Sequence, residues 1–97
     1  MFVKNRNEQP VLFTEPKILK EARNCLVHEN IEIVTSGDRF MKYFVKNSAS
    51  DEVLIKTIKE MTSDLNIPTY TLIKILNILE YKKIIYRRNG IIGLWRN

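Results

Sequence analysis

The sequence predicts an α+β fold: a winged helix-turn-helix preceded by an N-terminal helix and closed by a short β-hairpin. Three observations predict it. Leu72, Ile75, Leu76 and Leu79 recur at i, i+3, i+4 and i+7, the spacing of a helix with one buried face. Asn66-Ile67-Pro68 marks a tight turn into that helix from a shorter one before it, because Asn tolerates the left-handed conformation and Pro suits a first helical turn. Asn89-Gly90, between two apolar runs, is the strongest short-range signal for a hairpin.

Taken in order, residues 1–14 show no long period and read as an arm with an extended stretch at Val11–Phe13. Thr14 is a candidate N-cap, with Glu15 and Pro16 in the first turn, where a negative charge and a fixed φ both help. Ile18, Leu19, Ala22, Cys25 and Leu26 then form one apolar stripe, on a helix expected to end near Asn30. Ile31–Val34 alternates like a strand, and Ser36-Gly37-Asp38 is a turn signal. The aromatic stretch Phe40–Val45, within Arg39–Lys46, reads equally as a returning strand or a short helix. Asn47-Ser48-Ala49-Ser50-Asp51 is a polar linker. Val53-Leu54-Ile55 reads as a short strand and Thr57–Asp64 as a helix with Ile58, Met61 and Leu65 inward. After the recognition helix, Ile84–Arg88 and Ile91–Trp95 are the two arms of the hairpin. The expected organisation is an arm at 1–14, an N-terminal helix and aromatic hairpin packing on the core at 15–50, and the winged helix-turn-helix at 51–97.

The chain has 97 residues, which suggests one domain, and so small a core makes a homodimer an ordinary way to add buried surface. At 44% hydrophobic and 28% charged residues it is too apolar to stay unfolded. One cysteine, Cys25, excludes an internal disulfide and points to a reducing, cytoplasmic setting. No signal-peptide pattern opens the chain, and no apolar run approaches the about 18 residues that would suggest a membrane span. One His, one Cys and three scattered glycines give no metal-ligand spacing, no paired nucleophile and no phosphate-cradling loop. The expectation is therefore no enzyme, no metal and no cofactor.

The distribution of charge says more than its total. Residues 1–52 hold eight Lys/Arg and eight Asp/Glu, whereas residues 53–97 hold eight basic and three acidic residues. The whole net charge of +5 thus sits in the last 45 residues, a positive field suited to a polyanion. With the leucines buried, the opposite face of the recognition helix shows Thr69, Tyr70, Thr71, Ile73, Lys74 and Asn77. Thr, Lys and Asn donate to bases or phosphates, and a tyrosine hydroxyl bonds a phosphate. Lys82 and Lys83 end that helix, and Arg87, Arg88 and Asn89 stand at the hairpin tip. The expected contacts to double-stranded DNA are Thr69, Tyr70, Thr71, Lys74, Asn77, Lys82, Arg87, Arg88 and Asn89. Exposed Ile73 and Ile78 favour the alternative of a winged helix used for protein docking or dimerisation without DNA. Trp95 is expected to plug the core, and His28 to be an exposed bystander.

Three stretches resemble the RepL family of firmicute plasmid replication proteins: Thr35–Val45, which is similar to a Ser-Gly turn followed by an aromatic segment, Ile67–Glu80, which is similar to a recognition helix ending in Leu-Glu, and the wing at Ile84–Leu94. The resemblance implies non-catalytic, sequence-specific DNA binding in plasmid or phage replication or in transcription control, with host replication proteins as partners. It also implies a full helix ahead of the Val53 strand, a place that Arg39–Lys46 or Pro16–Asn30 would have to fill unless the chain is a truncated relative. A lesser resemblance, at Leu76, Leu79 and the Leu94-Trp95 ending, is to Zα domains, which bind left-handed nucleic acid; of their recognition pattern only Lys74 and Trp95 agree.

Overall fold

A computed structural model describes residues 16–48 and 52–95. The expected arm, its extended stretch and the Thr14 cap lie outside the described residues. Within them the fold is α+β: four helices and a three-stranded antiparallel sheet, in the order α1 (Lys17–Leu26), α2 (Ile31–Asn47), β1 (Val53–Leu54), α3 (Ile58–Leu65), α4 (Thr69–Tyr81), β2 (Ile85–Arg88) and β3 (Ile91–Leu94). No described helix is long and apolar enough to cross a membrane.

Helix α1 starts after Pro16, which occupies the N-cap with extended backbone, and buries Leu19, Ala22 and Leu26. It stops short of Asn30 because Asn30 serves the next helix. The Asn30 side chain accepts a hydrogen bond from the Ile33 amide at 3.0 Å and so caps α2.

Helix α2 corrects the strand, turn and aromatic hairpin expected over residues 31–45. These residues lie in one helix of 17 residues, Ile31–Asn47. Its buried positions, Ile33, Ser36, Gly37, Phe40, Met41 and Phe44, follow the helical period, which the four-residue alternation at Ile31–Val34 was too short to contradict. Arg39–Lys46 is therefore helical. Ser36-Gly37-Asp38 is not a turn. Gly37 is small because α1 presses on it: a Cβ there would lie 2.3 Å from Leu26 Cδ1. Asp38 ties the same two helices, 2.8 Å from Arg23 Nη2 and 3.0 Å from Lys42 Nζ. Partial burial alone would raise the Asp38 carboxyl, but these two cations outweigh it and hold the group below its ordinary value.

The remainder follows the sequence closely. Thr57 and Glu60 form a reciprocal capping box at the start of α3, with bonds of 3.0 and 2.8 Å. Asn66 ends α3 in the left-handed conformation, at φ 55° and ψ 51°. The Arg39 guanidinium donates to the Leu65 carbonyl, and the Tyr43 hydroxyl to Asp64 at 2.6 Å, so α2 grips the C-terminal end of α3. Asn89 (φ 52°) and Gly90 (φ 79°) make a two-residue turn with both central residues left-handed, which matches the twist of the strands it joins. Strand β3 lies in the middle, pairing Arg87 with Ile92 on one side and Leu54 with Ile92 on the other. Leu54, Ile85 and Ile92 complete a single core that also contains residues from all four helices. Trp95 is not a core plug. It is 47% exposed, edge-on to Tyr86 at 6.3 Å, with Lys83 Nζ 5.9 Å from its ring centroid.

Candidate nucleic-acid interface

Helix α4 is fixed by its apolar arc. Leu72, Ile75, Leu76 and Leu79 are all fully buried. Burying one arc turns another outward, and Thr69, Tyr70, Lys74 and Asn77 are exposed there as expected. Tyr70 is 70% exposed and Tyr81 83%. Tyr70, Lys74, Asn77 and Tyr81 follow at i, i+4, i+7 and i+11, so they form one stripe about 16 Å long at 1.5 Å per residue. Tyr81 was missed in the sequence, although it stands four residues beyond Asn77 and so shares its face.

Thr71 does not belong to this stripe. It is fully buried, and its hydroxyl donates to Glu32 Oε2 at 3.0 Å. A threonine borders the apolar and polar arcs equally well, and here the N-terminal end of α2 claims it. Ile73 and Ile78 are half-buried rather than exposed.

The α1–α2 connection flanks the stripe without covering it. Glu29 Oε1 lies 3.7 Å from Lys74 Nζ. A hollow of about 400 Å³ separates Cys25, His28 and Glu29 from Asn77, Ile78 and Tyr81. Burial raises the Cys25 thiol above its ordinary value, which keeps it protonated and unreactive at neutral pH. Among the described residues, no group of three or more His, Cys, Asp or Glu is placed to hold a metal ion.

The hairpin flanks the other side. Strand alternation sends Ile85 and Arg87 toward α4 and Tyr86 and Arg88 away from it. Arg87 reaches back to α4, donating through Nε to Glu80 Oε1 at 3.1 Å and through Nη2 to Asn77 Oδ1 at 2.9 Å. Two expected contact residues are thus bonded directly to each other, and Glu80 holds the same guanidinium. Arg88 and Asn89 are exposed at the tip, and Lys82 is exposed at the end of α4. A groove of about 520 Å³ runs between the start of α3 and the hairpin, floored by Ile58, Met61 and Ile92 and rimmed by Lys56, Arg87 and Arg88. The arrangement offers hydrogen-bond donors and aromatic rings along a helix, with cations on the hairpin flank and at the end of α4, and with Glu29 on the other flank.

Compared with protein-family models, curated proteins and solved structures, the chain matches none.

Proposed function

We propose that this chain is a winged helix-turn-helix protein that binds double-stranded DNA sequence-specifically, with α4 in the major groove and the β2–β3 hairpin on the flanking backbone. One observation carries the reading: an exposed polar and aromatic stripe on a helix held by three others, beside a hairpin with Arg88 at its tip, in the half of the sequence that holds all the net charge. The order helix, strand, helix, turn, helix, hairpin, with the last strand central, supports it. A groove about 12 Å wide accepts one helix. In this reading Tyr70, Lys74 and Asn77 meet base edges, and Thr69, Lys82, Arg88 and Asn89 meet phosphates. Thr71 and Arg87 are withdrawn from the direct contact set, since Thr71 bonds Glu32 and Arg87 bonds Glu80 and Asn77. The chain acts without catalysis, in the cytoplasm, alone or as a homodimer, as its composition suggests; its action on plasmid or phage DNA in replication or transcription control, with host replication proteins, rests on the sequence resemblance.

A second reading, a protein-docking surface, is favoured by Tyr70 and Tyr81, since exposed tyrosines anchor protein interfaces, and by the pairing of Lys74 with Glu29. A gel-shift titration with random duplex at low salt separates the two. Retardation by the wild type, weakened on all sequences by Arg88→Ala, is expected for a DNA-binding protein; an unshifted duplex leaves the docking surface standing and removes the DNA reading.

A further inference from the structure

An asparagine amide that faces water has two nearly equal orientations, which exchange its oxygen and its nitrogen. At Asn77 the choice is made by the hairpin. A guanidinium carries five N–H donors and no acceptor, so only the amide oxygen can face it. Arg87 Nη2 lies 2.9 Å from Asn77 Oδ1, and Glu80, one turn further along α4, anchors the same guanidinium through Nε at 3.1 Å. The carboxylate, the guanidinium and the amide form a chain in which each member fixes the next. The Asn77 oxygen is turned toward the hairpin, and the nitrogen, with its two donors, is turned away from it.

We infer that Arg87 is a positioning residue for base recognition: through Asn77 it presents a donor edge to the major groove and so selects guanine there. This rests on the DNA-binding reading and adds a base preference to it. An unconstrained asparagine pairs with adenine by using its oxygen for N6 and its nitrogen for N7. With the oxygen held on the hairpin side, the nitrogen is the group left to read with. Guanine offers two adjacent acceptors, N7 and O6, whereas thymine offers only O4 beside its methyl group, adenine places the N6 donor beside N7, and cytosine offers the N4 donor. A cation that contacted a phosphate directly would strengthen binding to every sequence alike. A cation that orients a reading group changes which base is preferred.

The test is selection of the full chain on a randomised duplex pool, with pool affinity measured in parallel by gel shift and folding checked by circular dichroism. The wild type is expected to enrich guanine over adenine about tenfold at one position, toward the low end of what a paired base contact discriminates. Arg87→Ala should still bind the pool but admit adenine at that position. Arg87→Lys keeps a donor-only group and should restore guanine. Asn77→Asp presents only acceptors and should turn the preference to cytosine. Loss of pool affinity in Arg87→Ala with an unchanged base preference makes Arg87 a backbone contact and overturns the inference. An unchanged profile in all three variants overturns it equally. If the wild type retards no duplex, the DNA reading fails and takes this inference with it. The clamp itself has a DNA-free check: the Arg87 Nε–H resonance of the free protein should exchange slowly with water and speed up in Glu80→Gln, and an Nε–H that exchanges as fast as in a free arginine refutes the clamp.

Discussion

Gly37→Ala gives the sharpest test of how α1 sits on α2. In an exposed helix this change gains about 1 kcal/mol, because glycine gives up more backbone freedom than alanine. Here the new methyl would stand 2.3 Å from Leu26 Cδ1, whereas carbon atoms in contact prefer about 3.5–4.0 Å. One of the two must move by more than an ångström. Leu26 is only 1% exposed, and Ile75 Cγ2, 4.0 Å from the same Cβ position, closes another side. Overpacking of this kind costs about 1–3 kcal/mol, so the net effect is a loss of about 1 kcal/mol. Leu26→Ala alone should cost about 3 kcal/mol, the usual toll of a cavity in a core. In that background the clash is gone, and adding Gly37→Ala should stabilise by about 1 kcal/mol, through helix propensity and partial filling of the cavity. The sign reversal corresponds to a coupling of about 2 kcal/mol, within the range for residues in contact. Urea unfolding followed by far-ultraviolet circular dichroism on all four proteins measures it. Additive single changes refute the close approach of the two helices, whereas a Gly37→Ala protein more stable than the wild type means only that the tip of Leu26 swings aside cheaply. The stakes reach the interface, since α1 leads into the turn that holds Glu29 against Lys74.

Two further perturbations follow from the same packing. Tyr43 is pushed up to about 12 by burial and by its hydrogen bond to Asp64. A folded value raised above the ordinary one, about 10, means that its stabilisation is complete below pH about 10 and is lost as the pH climbs through the folded value. Wild type should therefore lose stability to urea faster than Tyr43→Phe over that alkaline window, and parallel curves refute the bond. Thr71→Val keeps the buried shape and removes only the hydroxyl that donates to Glu32. It should cost about 1–3 kcal/mol, the range from an ordinary net hydrogen bond to one made to a charged group, and leave duplex affinity in the gel shift unchanged, whereas an affinity loss would return Thr71 to the contact set.

The C-terminal half was legible because its signals are local. Asn66, Pro68, Asn89 and Gly90 each dictate a backbone conformation on their own, and the spacing of Leu72, Ile75, Leu76 and Leu79 admits one helix face. The aromatic segment was misread because Ser36 and Gly37 look like a turn in one dimension. Only the approach of Leu26, eleven positions earlier, explains a glycine in mid-helix. Thr71 needed Glu32, and Arg87 needed Asn77 and Glu80; these are side-chain meetings between elements, and no periodicity encodes them. Trp95 was within reach. Counting by two from buried Ile92 puts Leu94 inward and Trp95 outward, on the face where Tyr86 covers Gly93 so closely that a Cβ would meet the ring at 2.4 Å.

The central place of β3 has a consequence for how the chain matures. During synthesis β1 emerges long before the only strand it pairs with among the described residues, and β2 has no partner there until the hairpin turns back. The β2–β3 hairpin forms locally, and the pairing of β1 with β3 then joins distant segments late, the kind of step that slows folding. Until then Leu54 lacks the neighbour that seals it. A protease cut at the Asn89-Gly90 tip would leave the middle strand held by pairing and packing alone, and its loss would leave two bare edges, each a template for pairing with another molecule.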